Sequence, residues 1–568
     1  MLIHTDDVLK YMGHDLEKYK GCDILDLNPG ACLWSQKLHD FLQPRTHVLL
    51  EPAIETFKDF LFPLLNAPDS TYKLVTKDPQ RMETYTELFD EGVFPHQTRT
   101  NPSDAALQEL NKTLLVTGSL VWDPRLPGLG FDSMAKQLFY LFSQYAWSND
   151  AIHACGPVRT LFWTQHDDFN FFVAQSNSGM QKANSLLEML QEINLVVAAE
   201  RKDRQVGKGA LGRDPQYELE SLVRALQSGR AKGMEIPAHR SDFTHDFAAH
   251  VEETSGGSGI TSAEYIQEYL HAQQLAGTIP VGLWGKSVIE NVNLELELKN
   301  QFPELGLEVA PLHRTAQKRA EVRDYKDHPA RKQIAKLKSN RAAVASVLRL
   351  KLKIEGLADI GEQLYVLECR ALGTEDGPER DALLKEIEGL SAKWDEAVGA
   401  IEFNYSSAPA VETDDRISLR HPPGSRIQWD KRPFEPLIMR EEEAWPQNRL
   451  SLVSATPRLR PVGDDPDFHE WVMDFVFGLF GDPKKGIIAA LDTMQFGLSD
   501  IVKDCPSLRD PSKGGRLNMD HLRVRMLTID QIVELVKAYK DWPFKQPGSD
   551  HSGYYRHKAS QFSSKVLH

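Results

Sequence analysis

Residues 23–34 read DILDLNPGACLW. An apolar run breaks at Asn28-Pro29-Gly30, and a segment with helical spacing, 33–42, follows at once. Strand, glycine turn and helix in that order open a parallel α/β sheet. Glycine there lets a ligand approach the backbone. Position 32, where a nucleotide-binding turn carries a further glycine, holds Cys32.

The same pattern repeats outward from this turn. Apolar runs at 47–50, 74–76, 113–117 and 158–163 predict four more strands, with a helical pattern at 54–65 between two of them. Strands alternating with helices predict a parallel sheet, and ligands of such sheets bind at the C-terminal strand ends. Asp26, Asn28, Gly30, Glu51, Asp78 and Gly118 all fall at those ends. Glu51 is placed to accept from two ribose hydroxyls, and Asp78 from an adenine amine. Asp26 is placed to accept from an amine or to orient the turn. The full G-x-G-x-x-G pattern is absent, so no pyrophosphate cradle is expected. The acidic trio therefore suits S-adenosylmethionine, and residues 1–200 are expected to form a Rossmann-like methyltransferase core. No metal is expected.

The position that would carry catalysis is Thr117-Gly118-Ser119-Leu120. An enzyme that modifies a base must hold it flipped out, with an amide or carboxylate oxygen and an aromatic face. Ser119 can hydrogen-bond but is no amide, and Trp122 offers a stacking face two residues beyond the tetrad. Methyl transfer is not expected from this set.

The chain has 568 residues, of which 41% are hydrophobic, enough for two or three domains. Its five cysteines form no C-x-x-C pair, which predicts reduced thiols and no zinc site. No apolar run is long enough to predict a membrane span. The first 15 residues, with Asp6, Asp7 and Asp15, match neither an Arg-rich transit peptide nor a secretory signal. Any targeting signal is therefore expected to be internal or outside this chain. A formal charge of -15 argues against general nucleic-acid binding, but local charge counts for more.

Residues 201–410 are expected to form a mostly helical insertion. A capping box at Thr261-Ser262-Ala263-Glu264 predicts a helix start. Residues 330–396, almost free of proline, predict two long helices folded as a hairpin. Between Arg314 and Lys353 lie 13 lysines and arginines against three acids. Arg331, Lys332, Lys336, Lys338 and Arg341 recur at a spacing that can present one basic surface, or simply a solvated helix face. Such a surface would position a nucleic-acid backbone without reading its sequence. Trp122, Trp147 and Trp429 are candidate stacking residues, Trp429 above all because Asp430, Lys431 and Arg432 follow it. Trp163 is expected in the core. In 411–545, residues 450–454 predict a late strand of the same sheet, followed by a C-terminal helical domain with a capping box at Thr528 and Gln531. Residues 546–568 are expected to be a flexible tail.

The stretches DLNPG, LLEP at 49–52, KDP at 77–79, TGSLVWDP at 117–124 and QWDKRPFEPL at 428–437 resemble the ribosomal-RNA adenine N6-dimethyltransferase superfamily. Within it they are most similar to the fungal mitochondrial transcription factor branch. The resemblance spans residues 1–200 and 410–545. For the enzymes it implies S-adenosylmethionine as cofactor, rRNA as substrate and an Asn-Leu-Pro-Tyr-like tetrad, which here is Thr117-Gly118-Ser119-Leu120. For the factor branch it implies a protein without catalysis, monomeric when free, in the mitochondrial matrix. That branch binds mitochondrial RNA polymerase and promoter DNA, and holds the single-stranded non-template strand. Ribosome assembly without catalysis is a third reading.

Overall fold

The computed structural model describes residues 5–100, 109–121, 131–202, 213–278, 282–283, 285–307, 309, 326–459 and 468–545. The apolar runs become strands β1 (Asp23–Leu27), β2 (Thr46–Leu50), β3 (Tyr72–Val75), β4 (Asn111–Ser119) and β5 (Val158–Gln165). Three more join them, β6 (Gln191–Ala199), β7 (Leu437–Met439) and β8 (Leu450–Pro457). They form one eight-stranded sheet in the order β3-β2-β1-β4-β5-β8-β6-β7. Only β8 runs against its neighbours, pairing antiparallel with both β5 and β6. The chain is thus α/β, with a mostly parallel sheet compatible with a Rossmann-like fold.

Strand residues alternate between two covered faces, as a parallel sheet requires. Leu25, Leu27, Val48, Leu50 and Val116 pack with helices Met134–Ser148 and Lys182–Leu190 on one face. Ile24, Leu115, Leu161 and Trp163 pack with Trp34, Leu38 and Leu42 of helix Leu33–Leu42 on the other. Helices Phe468–Leu479 and Ile529–Asp541 join the first of these cores through Phe475, Val476, Leu535 and Val536. The second helix starts at the expected capping box: the Thr528 hydroxyl accepts from Gln531 N–H, and the Gln531 side chain accepts from Thr528 N–H. The other expected cap is corrected by one residue. Ser262, not Thr261, caps helix Ala263–Leu275.

The long hairpin is present. Helix Arg331–Gly373 turns back into Pro378–Gly399, with Leu357, Leu364 and Trp394 between them. Gly361 makes room for a third helix, Ala408–Arg420, because a Cβ there would lie 2.6 Å from Thr413. Ion pairs tie the long helix to the body: Lys351 to Asp214 at 3.2 Å, Glu362 to Arg416 at 3.2 Å and Glu368 to Arg516 at 3.0 Å. No helix among the described residues is long and apolar enough to cross a membrane.

Two glycines separate steric demand from chance. Gly118 has φ +135°, and a Cβ there would lie 2.1 Å from the Leu27 carbonyl oxygen. Gly356, inside the long helix, meets nothing within 4 Å. Gly118→Ala is expected to lower unfolding free energy by more than about 2 kcal/mol in urea titrations. Gly356→Ala should raise it by about 0.5–1 kcal/mol. A Gly118→Ala chain as stable as the parent would refute the close approach of β4 to β1.

Helix Ala408–Arg420 carries a pH-dependent contact. Burial, then Asp214 and Glu355, push the Glu412 carboxyl up to about 8, against the opposing pull of Arg416. Tyr217 Oη donates to it at 3.2 Å. The ordinary value is 4.5, so between 4.5 and about 8 the folded chain holds a proton that the unfolded chain has lost. Stability through this group therefore falls as pH rises across that window. The melting temperature of Glu412→Gln should decline less than the parent's from pH 5 to pH 9. Parallel pH profiles would exclude this role.

Candidate functional site

The C-terminal ends of β1, β2 and β4 meet around the turn at 28–32. Asn28, Gly30 and Cys32 all adopt positive φ, at 50°, 57° and 57°. Asn28 Nδ2 donates to the Ser119 carbonyl at 3.1 Å, which locks the turn to the end of β4. Glu51, at the end of β2, reaches across to the same turn. Its Oε2 accepts from Gly30 N–H at 3.0 Å and its Oε1 from Ala53 N–H at 2.8 Å. Charge-assisted bonds to backbone amides are the strong kind, so the carboxylate clamps two loops together.

Asn28, Gly30, Glu51 and Gly118 are therefore brought together as expected, but two partners are not. Asp26 is fully buried beneath the turn rather than at the strand-end mouth. Its carboxylate faces His47 Nε2 at 3.4 Å. His47 Nδ1 in turn lies 3.1 Å from His39 Nδ1, and both imidazoles stack on Tyr72. Asp26 shares the sheet face of Ile24, and this aims it at helix Leu33–Leu42. Asp78 is exposed and occupied locally, with Oδ1 accepting from Gln80 N–H at 2.9 Å.

Cys32 adopts a left-handed backbone conformation. Its side chain is fully buried in a small core with Leu49 and Leu61. Burial, then Asp26 and Glu51, push the thiol up to about 12, so it stays neutral.

The tetrad after β4 is used for packing. Thr117 Oγ1 donates to the Leu161 carbonyl and accepts from Trp34 Nε1, both at 2.9 Å. Gly118 admits no side chain, the Ser119 hydroxyl accepts from Val121 N–H at 3.2 Å, and Leu120 is buried. No side-chain amide or carboxylate stands within these four residues. Trp122 lies outside the described residues.

These residues are largely engaged within the protein and leave S-adenosylmethionine few free acceptors. Glu51 is 3% exposed with both oxygens already accepting, and Asp26 is turned inward. No methyl-transfer step follows from this arrangement. Among the described residues there is also no group of three or more His, Cys, Asp or Glu that could hold a metal.

On the basic helix, Arg331, Lys332 and Lys336 are exposed and Lys338 is half-buried. Arg341 is a correction: it points inward and pairs with the buried Glu295. Trp429 is another. It is buried, its Nε1 donates to Glu218 at 3.2 Å, and Arg432 stacks on it at 4.0 Å, so no base can stack there. Trp147 is likewise buried, with Nε1 donating to the Arg458 carbonyl, and Trp163 lies in the core as expected. Sequence reasoning missed the exposed aromatics Phe496 and Phe544. An aromatic residue placed directly before Gly497, outside any helical stripe, was the available signal for the first.

No protein-family model and no curated protein matches this chain.

Glu51→Ala would leave two inner amide donors without their acceptor. It should cost about 2 kcal/mol or more in guanidinium titrations, and Glu51→Gln clearly less. Equal stability of the parent and Glu51→Ala would show that the clamp does not form.

Proposed function

We propose that this chain is a non-catalytic mitochondrial transcription initiation factor. In this reading it binds mitochondrial RNA polymerase and promoter DNA in the matrix, and helps to melt the promoter and hold the non-template strand. The observation that carries the reading is the end of β4. Thr117, Gly118, Ser119 and Leu120 are committed to packing and local hydrogen bonds, where a base-modifying enzyme needs free acceptors. The sheet order, with one reversed strand between β5 and β6, supports a methyltransferase-type ancestry for the core. The sequence resemblance, which points to the transcription-factor branch, supports the partner.

The nucleic-acid part of the reading is supported by the outer face of the long helix. Arg331, Lys332 and Lys336 have no carboxylate within ion-pair distance among the described residues. Exposed cations of this kind bind phosphates by releasing counterions, without reading sequence.

One observation favours a second reading, that of an rRNA adenine dimethyltransferase. The strand-end cluster Asn28, Gly30 and Glu51 survives as a shaped turn. The two readings part on one measurement, run-off transcription by purified mitochondrial polymerase with and without this chain. Promoter-specific stimulation, equal with and without S-adenosylmethionine, is expected. Labelled methyl transfer to small-subunit rRNA with no stimulation would replace the proposal by the enzyme.

Replacing Arg331, Lys332 and Lys336 together by Glu should weaken promoter complexes. It should also reduce the slope of log affinity against log salt by about 2–3, close to one per lost phosphate contact. An unchanged slope would remove this face from the nucleic-acid interface.

A further inference from the structure

Away from the strand ends, three segments meet around Tyr365 of the long helix: the helix itself, the loop at 421–427 and residues 514–526. Four guanidiniums enter this junction, those of Arg426, Arg516, Arg523 and Arg525, and each has a relative exposure of 6% or less except Arg523. Two carboxylates answer them. Glu368 takes Arg516 through two bonds of 3.0 Å, with His521 at 3.4 Å. Asp414 takes Arg523 at 2.7 Å and Arg525 at 2.7 Å.

Among the described residues, no carboxylate forms an ion pair with Arg426, and Asp414 supports it only from a distance. Its Nη1 donates to the Met526 carbonyl at 3.2 Å, and its Nη2 to Tyr365 Oη at 3.2 Å and the Pro422 carbonyl at 3.4 Å. Its Nε is buried with no partner at all. Like Arg516, it lies over the Tyr365 ring, at 5.8 Å against 5.2 Å. Gly514, at φ +83°, comes so near that a Cβ would stand 3.0 Å from the guanidinium carbon. Burial, with Arg516 adding to it, lowers the Arg426 pKa against the opposing pull of Tyr365 and Asp414. Folded proteins seldom leave a buried charge unanswered, because desolvation is so costly. Four positive charges less two negative ones leave an excess of two. A tetrahedral dianion matches that excess, and guanidinium edges bind phosphate oxygens through paired N–H donors.

We propose that Arg426, Arg516 and Tyr365 form a binding site for a small oxyanion of the phosphate class. The anion accepts from Arg426 Nε and supplies the missing counter-charge. Bound there, it ties the hairpin to the C-terminal helical region. The site is separate from the strand-end cluster and does not depend on the transcription reading.

The test uses the full chain without polymerase or DNA. Thermal unfolding is followed at constant ionic strength as chloride is exchanged for inorganic phosphate, and equilibrium dialysis measures bound labelled phosphate. A saturable rise in melting temperature and one bound phosphate per chain are expected, by the mass action of a ligand for the folded state. Arg426→Met should lose the phosphate-dependent rise, whatever its starting stability. Adenosine monophosphate should act no better than phosphate. Stabilisation by the nucleotide alone would overturn the small-anion assignment. No saturable binding by the parent chain, or an equal rise in Arg426→Met, would overturn the site itself.

Discussion

The sheet depends on β8. This strand fills the gap between β5 and β6, and its backbone groups pair with both: Leu161 faces Ser454, and Ile193 faces Ala455. Without it two inner strands would each present an unpaired row of amides and carbonyls, which a buried sheet cannot tolerate. The strand comes from far along the chain, and the route there is closed rather than open. The chain leaves the sheet after Ala199 and returns at Leu437, where β7 pairs with the end of β6. Everything between is one long excursion whose ends are neighbours. Loop-closure cost grows only slowly with length, so a hairpin of this size can be carried there. The return point is held by charge. Arg201 pairs with Glu435 at 2.9 Å, Arg432 with Glu435 at 2.7 Å, and Arg213 with Asp430 at 2.9 Å, all largely buried. This network explains the fate of Trp429, whose loop is drawn inward by the charges on either side of it.

The strand-end turn is governed by the same economy of hydrogen bonds. Of the three residues at positive φ in this loop, Asn28 donates its backbone amide to the Leu50 carbonyl and Cys32 its backbone amide to the Pro29 carbonyl, which leaves Gly30. Glu51 takes that one, and the Asn28 side chain ties the turn to β4. Groups used in this way are not available to a ligand. The polar atoms of the turn are the struts of its shape. The tetrad after β4 is used in the same way, since Thr117 joins Trp34 to β5.

Much of this was legible in the sequence because it was written in local patterns. The breaks after Leu27 and Leu50 and the helices at 33–42 and 54–65 follow from periodicity and glycine alone. The late strand at 450–454 was readable from its apolar run. β6 was not, because it follows helix Lys182–Leu190 with no turn residue between them. Side-chain direction was harder still. Asp26 stands two residues from Ile24, so strand alternation already set it on the face of helix Leu33–Leu42, although its position at a strand end suggested the mouth. Arg341 falls on the inner side of the long helix for the same kind of reason. Glu368, the counter-ion of Arg516, lies 148 residues away in sequence, and Tyr365, which accepts from Arg426, lies 61 away, beyond any motif.

The acidity of the chain and its exposed basic face are compatible for a physical reason. Residues 331–354 of the long helix contain no acid. The cations that turn inward are neutralised there, Arg341 by Glu295 and Lys351 by Asp214. Pairing is thus confined to the inner face, and Arg331, Lys332 and Lys336 keep their charge on the outer one. At physiological salt an exposed charge is felt over about 8 Å, so acids elsewhere on the molecule cannot cancel it. They act instead by repelling a polyanion from every other surface. For the proposed binding, a net charge of -15 then sharpens the choice of face rather than opposing it.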